Sequence, residues 1–173
     1  LLQARDKLVA LQLLAKENLP IPKSGLLSPL ECDPNLIRRE FEFPAIIKLL
    51  DSTHGLGVIL SDSLQNGVAI SEAFVRLQKK CIIQKFIKES AGQDIRAFVV
   101  NGSIVATMLR KAPEGEYRSN MHRGSSGTPI QLTEDEQQVI LKASETLGLQ
   151  VSGVDIMRSK EGPLILEVTA SPG

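Results

Sequence analysis

The chain has 173 residues, 42% of them hydrophobic and 23% charged, enough for one globular domain or one and a half with a sizeable core. Twenty basic residues balance twenty acidic ones, which excludes a net field drawing the whole chain to nucleic acid or an anionic membrane; any polyanion site is local. Cys32 and Cys81 match no metal-ligand spacing and read as free thiols in a reducing cytosol, while the charged N-terminus and the lack of a long apolar run argue against a signal peptide or membrane span. A cytoplasmic protein is expected, with no membrane or direct nucleic-acid partner. The abrupt start and end suggest a piece of something longer.

In chain order, Asp6 to Asn18 predicts a helix burying Leu8, Leu11 and Ala15, stopped by Asn18 and Pro20. A short strand around Gly25 to Leu27 and a helical turn from Asn35 to Glu40 follow. Phe43 to Leu50 reads as a strand, Asp51 to Gly57 as a glycine-containing loop, and Val58 to Leu60 as the returning strand. Ser63 caps a predicted helix to about Lys79, with Ile70, Ala73, Phe74 and Leu77 at helical spacing. Cys81 to Ile87 is a strand, and Asn101-Gly102 joins two more, Gln93 to Val100 and Ser103 to Arg110, as a hairpin. Ala112 to Gly127 is a loop longer than a connection needs. Thr133 and Glu136 form a capping box for a helix ending at Leu147 and Gly148, and a last hairpin pairs Val151 to Met157 with Pro163 to Thr169. Antiparallel hairpins interrupted by helices predict an α+β fold.

The last strand sets the chemical problem, because Glu167 follows the apolar run Pro163 to Leu166. A turn centred on Glu161 places Asp155 opposite Glu167, with Thr169 on the same face. Two facing carboxylates repel unless positive charge lies between them, either a hard cation such as Mg²⁺ or Mn²⁺ or an arginine. Lys48, inside the apolar run Ala45 to Leu50, is either a solvent-facing lysine or a phosphate contact beside the Gly55 and Gly57 loop. Asp94 and Arg96 share a face with Phe98 and are either a rim ion pair or one wall of a polar site. The long loop adds Arg118, Ser119, Asn120, His122 and Arg123, donors suited to phosphate or carboxylate oxygens if the loop is not simply solvated. Neither histidine has the neighbours of a hydrolase triad.

Taken in order, Arg5-Asp-Lys7, Ile47-Lys48-Leu49 before the glycine hairpin, Ile83-Gln-Lys-Phe-Ile87, Asp94-Ile-Arg96, Arg118-Ser-Asn-x-His-Arg-Gly124, Gly153-Val-Asp155 and Glu167-x-Thr-Ala-Ser-Pro-Gly173 resemble the ATP-grasp ligases across essentially the whole chain. The resemblance is closest to the RimK-like glutamate ligases, which add glutamate to a ribosomal protein's C-terminus. It implies two α+β subdomains with antiparallel sheets holding ATP between them. Their expected organisation is a leading helix over 1–18, a first grasp subdomain over 19–87 and a second over 88–173, with the family's N-terminal domain missing.

The resemblance further implies that Lys7 and Lys48 contact the phosphates, that Gly55 and Gly57 close over them, and that backbone at Lys85 and Phe86 holds adenine with Asp94 on the ribose side. Arg118, Ser119 and Asn120 would bind the phosphates, Arg118 and Asn120 also reaching the acyl phosphate. Asp155, Glu167 and Thr169 would hold two Mg²⁺ or Mn²⁺ ions. The implied reaction is ATP-dependent amide formation through an acyl phosphate, with glutamate or another amino acid as amine donor, an acceptor carboxylate, and an enzyme that is often oligomeric. A ligase for small molecules and a nucleotide-binding regulatory module without turnover are the alternatives. The chain departs from the family at Thr169, where asparagine is usual, and at Lys85, where glutamate is usual.

Overall fold

The structure, a computed structural model, describes residues 6–28, 34–51, 56–119, 124–170 and 172. Arg5, Cys32, Gly55, Asn120, His122 and Arg123 therefore lie outside the described residues. Two compact units are present. One combines the residues up to Ile21 with those from Ile87 onward, and the other spans Pro22–Phe86.

The Pro22–Phe86 unit is built on a four-stranded antiparallel sheet in the order β1 (Ser24–Leu27), β4 (Cys81–Lys85), β2 (Ala45–Leu49), β3 (Val58–Ser61). Leu27, Ala45, Ile47, Cys81 and Ile83 form its core with Ile37 of helix α2 (Pro34–Glu40), and Phe43, Val68, Ile70 and Phe74 pack against them. Helix α3 (Leu64–Arg76) begins where Ser63 Oγ accepts the Asn66 N–H at 3.3 Å. Its inward side includes Ile70 and Phe74, as apolar spacing predicts, together with the buried Gly67 and Ser71, whereas Ala73 is exposed and Leu77 is 69% exposed. Gly67 faces inward by close approach, since a Cβ on it would lie 2.6 Å from the Phe43 ring. The helix also stops at Arg76, short of the expected Lys79, and Gln78 takes a positive φ of 56°.

In the other unit, five antiparallel strands run in the order β7 (Ser126–Pro129), β6 (Ser103–Lys111), β5 (Gln93–Val100), β8 (Val151–Ser159), β9 (Gly162–Thr169). β7 lies partly within what the sequence presents as a loop. Ile95, Ala97, Val99, Val154, Ile156, Ile165 and Val168 cover one face, and helices α1 (Lys7–Lys16) and α4 (Glu134–Thr146) pack there through Ala10, Leu14, Ile140 and Ala143. The buried side of α1 is thus Ala10, Leu11 and Leu14, rotated from the expected Leu8, Leu11 and Ala15 because Ala10 and Leu14 meet the sheet. Asp6 caps α1, and the Thr133–Glu136 capping box starts α4. No helix among the described residues is long and apolar enough to cross a membrane.

Both long hairpins of this sheet contain a bulge. Asn101-Gly102 pairs Val99 with Ile104, but one residue farther on Phe98 pairs with Ala106, leaving Val105 unmatched. Lys160-Glu161 likewise pairs Ile156 with Ile165, after which Asp155 pairs with Glu167 and Leu166 is skipped. The second hairpin therefore turns through two residues and is not centred on Glu161. An extra residue on one strand exchanges its faces. Here it keeps Ile104 and Leu109, and Ile165 and Val168, on the same core side despite their odd spacing.

Candidate functional site

The face of the five-stranded sheet opposite its core carries a ladder of charge. Asp94 lies opposite Arg110, Arg96 opposite Asp155, and Asp155 opposite Glu167. Arg110 donates from Nε to Asp94 Oδ1 at 2.6 Å and from Nη2 to Asp94 Oδ2 at 2.5 Å; the same Nη2 reaches Asp155 Oδ2 at 2.8 Å. Arg96 holds Asp155 in a second fork, with Nε to Oδ1 at 2.7 Å and Nη2 to Oδ2 at 2.8 Å. Asp94, Arg110 and Asp155 are almost wholly buried, with side chains only 3 to 4% exposed. Burial of such charges is tolerated because the Arg–carboxylate forks set each charge against an opposite one within hydrogen-bond distance. Asp94 and Arg96 are thus not a rim pair with each other; each is matched across strands.

Burial raises the Asp94 carboxyl above the ordinary range; the hydrogen bonds from Arg110 oppose the rise and the negative charge of Asp155 adds to it. Burial also works against charge on Arg110, but hydrogen bonds and charge from Asp94 and Asp155 outweigh it, and the guanidinium stays protonated. At the end of the ladder Glu167 lies 3.8 Å from Lys7 Nζ, and both side chains are partly exposed. Lys7 is brought there by its place in the first turn of α1, just after the Asp6 cap. Thr169 shares Glu167's face and lies opposite Gly153. There the chain closes tightly, because a Cβ on Gly153 would come within 2.8 Å of Pro172 Cβ.

This donor set suits a hard cation. Asp155 Oδ1 accepts one hydrogen bond and keeps a lone pair, and Glu167 is partly open to solvent. Among the described residues no three His, Cys, Asp or Glu side chains are gathered as a cage. Two carboxylates completed by phosphate oxygens and water are the usual Mg²⁺ arrangement, whereas full protein cages are not. The residues present therefore fit the ion when a phosphate ligand accompanies it.

Before β7, the segment Ala112 to Ser119 is anchored at its base. The Ala112 N–H donates to Gly92 O at 2.8 Å, and Gly92 has a positive φ of 70° and no room for a Cβ against Glu116 O. Glu116 accepts the backbone N–H groups of Tyr117 and Arg118 and grips the Arg118 guanidinium, Nε and Nη2 each at 2.8 Å. Arg118 accordingly holds the Glu116 carboxyl down to about 2, against a modest opposing effect of burial. Glu116 is the acidic partner that the sequence reading of this loop overlooked. Ser119 is buried.

In the Pro22–Phe86 unit, Lys48 lies on the sheet face away from the helices, and its Nζ donates to Gln84 Oε1 at 2.5 Å. Gln84 Nε2 in turn donates to Ser24 Oγ at 2.8 Å, which orients the amide toward the lysine. Gly57, with φ of 65°, accepts the Leu49 N–H at its carbonyl and leaves no space for a Cβ against the Leu49 side chain. The Lys85 N–H donates to Lys23 O at 2.9 Å, and its side chain is exposed; Phe86 follows at the end of β4. Sequence reasoning passed over Arg110 as well as Glu116. A regular two-residue turn at Asn101-Gly102 would set Asp94 opposite Leu109, and only the bulge at Val105 brings Arg110 there.

Paired antiparallel α+β units with these sheets define an ATP-grasp fold. The solved structure of D-alanine–D-alanine ligase from Bacillus anthracis complexed with ATP is similar at a TM-score of 0.79 and 18% identity, covering 99% of this chain and 56% of that one. The ATP-grasp ligase PsnB complexed with minimal precursor, Mg and ADP is similar at a TM-score of 0.73 and 18% identity, covering 95% and 50%. The RimK-like ATP-grasp domain matches residues 4–173, and the chain belongs to that family. A protein of Nitrosococcus oceani named probable alpha-L-glutamate ligase is 45% identical over 172 residues, which are 99% of this chain and 57% of that relative. The chain thus spans little more than half the length of the relatives it matches.

Proposed function

We propose that this chain is the nucleotide-binding and catalytic portion of an ATP-dependent, ADP-forming carboxylate–amine ligase. In this reading a carboxylate oxygen of the acceptor attacks the γ-phosphorus and ADP leaves. The amine of an amino acid then attacks the acyl carbon, phosphate leaves, and an amide remains. Glutamate is the proposed amine donor, in keeping with the name of the relatives at about this identity. The proposed acceptor is a protein C-terminal carboxylate such as that of a ribosomal protein.

The observation that carries the proposal is the Asp155–Glu167 pair, set side by side on the sheet face with arginines beneath it. Phosphoryl transfer asks for positioning and charge neutralisation more than for a protein nucleophile. Asp155 and Glu167, with the hydroxyl of Thr169, would hold Mg²⁺, which supplies charge neutralisation at the phosphates when bound. Arg118 and Asn120 would take phosphate or acyl-phosphate oxygens, with Ser119 beside them. Lys7 and Lys48 would neutralise phosphate charge, Gly55 and Gly57 would let backbone N–H groups approach, and Lys85 and Phe86 would present backbone to adenine.

Calorimetric titration of ATP with and without Mg²⁺ tests this reading. Mg²⁺-dependent binding that weakens in both Lys48→Met and Glu167→Gln is expected, together with glutamate-dependent ADP release by the full-length protein when an acceptor is supplied. Folded, full-length protein that binds no ATP at all would refute it.

A further inference from the structure

Three side chains on the face of the four-stranded sheet away from its helices form a row across β1, β4 and β2. Ser24 lies directly opposite Gln84, and Gln84 lies opposite Ile46, one diagonal step from Lys48. Gln84 is 2% exposed, and Ile46 and Ile82, which share its face, are buried as well. An amide desolvated in such a place is costly unless it is hydrogen-bonded. Its bonds run in one direction. Ser24 Oγ donates its single proton to Pro22 O at 2.7 Å, so toward Gln84 it can only accept, from Nε2 at 2.8 Å. The amide is thereby turned with Oε1 toward Lys48, whose Nζ donates to it at 2.5 Å. Reversed, the amide would set its own N–H donors against the ammonium.

We propose that Gln84 is a positioning residue for Lys48: its amide, anchored by Ser24, fixes where the ammonium stands and so readies it for nucleotide phosphate. The inference rests on the functional reading above, in which Lys48 neutralises phosphate charge. A lysine ammonium is a point charge on a flexible four-carbon stem, and a fixed acceptor removes beforehand part of the freedom it would lose on meeting a ligand. The acceptor is also neutral. It orients the ammonium and leaves the full charge for an anion, which a carboxylate at the same place would offset.

The test is calorimetric titration of Mg²⁺-ATP into the full-length protein, comparing the unaltered chain with Lys48→Met, Gln84→Leu, Ser24→Ala and the double variant of Lys48→Met with Gln84→Leu. Gln84→Leu is expected to weaken binding by about tenfold, the order of one hydrogen bond to a charged group. Ser24→Ala frees the amide to turn and should weaken it by about threefold, the order of one neutral hydrogen bond. In the Lys48→Met background, Gln84→Leu should change the affinity by less than about twofold, because its effect passes through the ammonium. An equal effect of Gln84→Leu in both backgrounds would overturn the proposal in favour of a direct nucleotide contact or a general loss of packing. Unchanged affinity in Ser24→Ala would also overturn it, and this variant retains both Gln84 and Lys48 should Gln84→Leu fail to fold. If the unaltered protein binds no Mg²⁺-ATP, or Lys48→Met binds it equally well, the functional reading of Lys48 falls and the inference with it; if Lys48→Met binds more weakly, the other variants judge the inference alone.

Discussion

Replacing Arg110 by methionine should be the most destabilising conservative-volume change on the polar face of the five-stranded sheet. Arg110 is 3% exposed and serves two carboxylates as deeply buried as itself. Without it Asp94 loses both guanidinium bonds, and Asp155 loses one of three while keeping the Arg96 fork. Breaking a buried pair by removing one partner costs about 3–5 kcal/mol, because the remaining charge stays out of water. Against a typical total of about 5–15 kcal/mol, that is a large share. Urea denaturation followed by circular dichroism measures it, with Lys142→Met as a control, since the Lys142–Glu145 pair is exposed and its loss should leave the midpoint in place. The loss should also depend on pH. Asp94 has its carboxyl raised on folding, so the folded chain takes up this proton more readily than the unfolded chain. Stability from that group is full below its unfolded pKa and lost as pH rises through the folded one. Arg110→Met removes the main opposing pull, so the variant should regain part of its stability on acidification toward the unfolded value. A loss below about 1 kcal/mol at neutral pH, with an unchanged urea dependence, would refute the picture of a buried, charged ladder.

Two further outcomes follow from the local geometry. The Glu116 carboxyl should titrate near 2, well below its ordinary 4.5, so its hold on Arg118 persists above 4.5 and is lost as pH falls through about 2; carbon-detected NMR would show the midpoint, and Arg118→Ala should return it toward 4.5. Gly67→Ala should lower the melting temperature, because a Cβ 2.6 Å from the Phe43 ring costs about 1–3 kcal/mol of overpacking against about 1 kcal/mol of helix propensity gained; a higher melting temperature would contradict the close contact.

Local signals in the sequence were sufficient for the helices and for every strand of the two sheets except β7, which fell partly in the expected loop. Ser63, Thr133 and Glu136 mark helix starts by their capping chemistry, Asn101-Gly102 marks a hairpin, and alternation along Gln93 to Val100 identifies its buried side. The same local logic brought Glu167 and Thr169 to one face and Asp155 opposite Glu167, although through the wrong turn. Helix phase was harder to read. Gly67 and Ser71 carry no hydrophobic signal, yet they are buried on α3 alongside the packed Ile70 and Phe74, because a small residue at 67 lets the helix approach Phe43.

The charged ladder depends on long-range packing. Continued regularly, the two-residue turns would set Asp94 opposite Leu109 and Asp155 opposite Leu166. Bulges at Val105 and Leu166 shift each register by one, because Ile104 and Leu109, like Ile165 and Val168, must face the same helices while standing an odd number of residues apart. Composition, motif order and turn chemistry are written along the chain. The partners of Asp94 and Asp155 are chosen by the apolar core on the far side of the sheet, since burying that face decides which side chains must meet on the other.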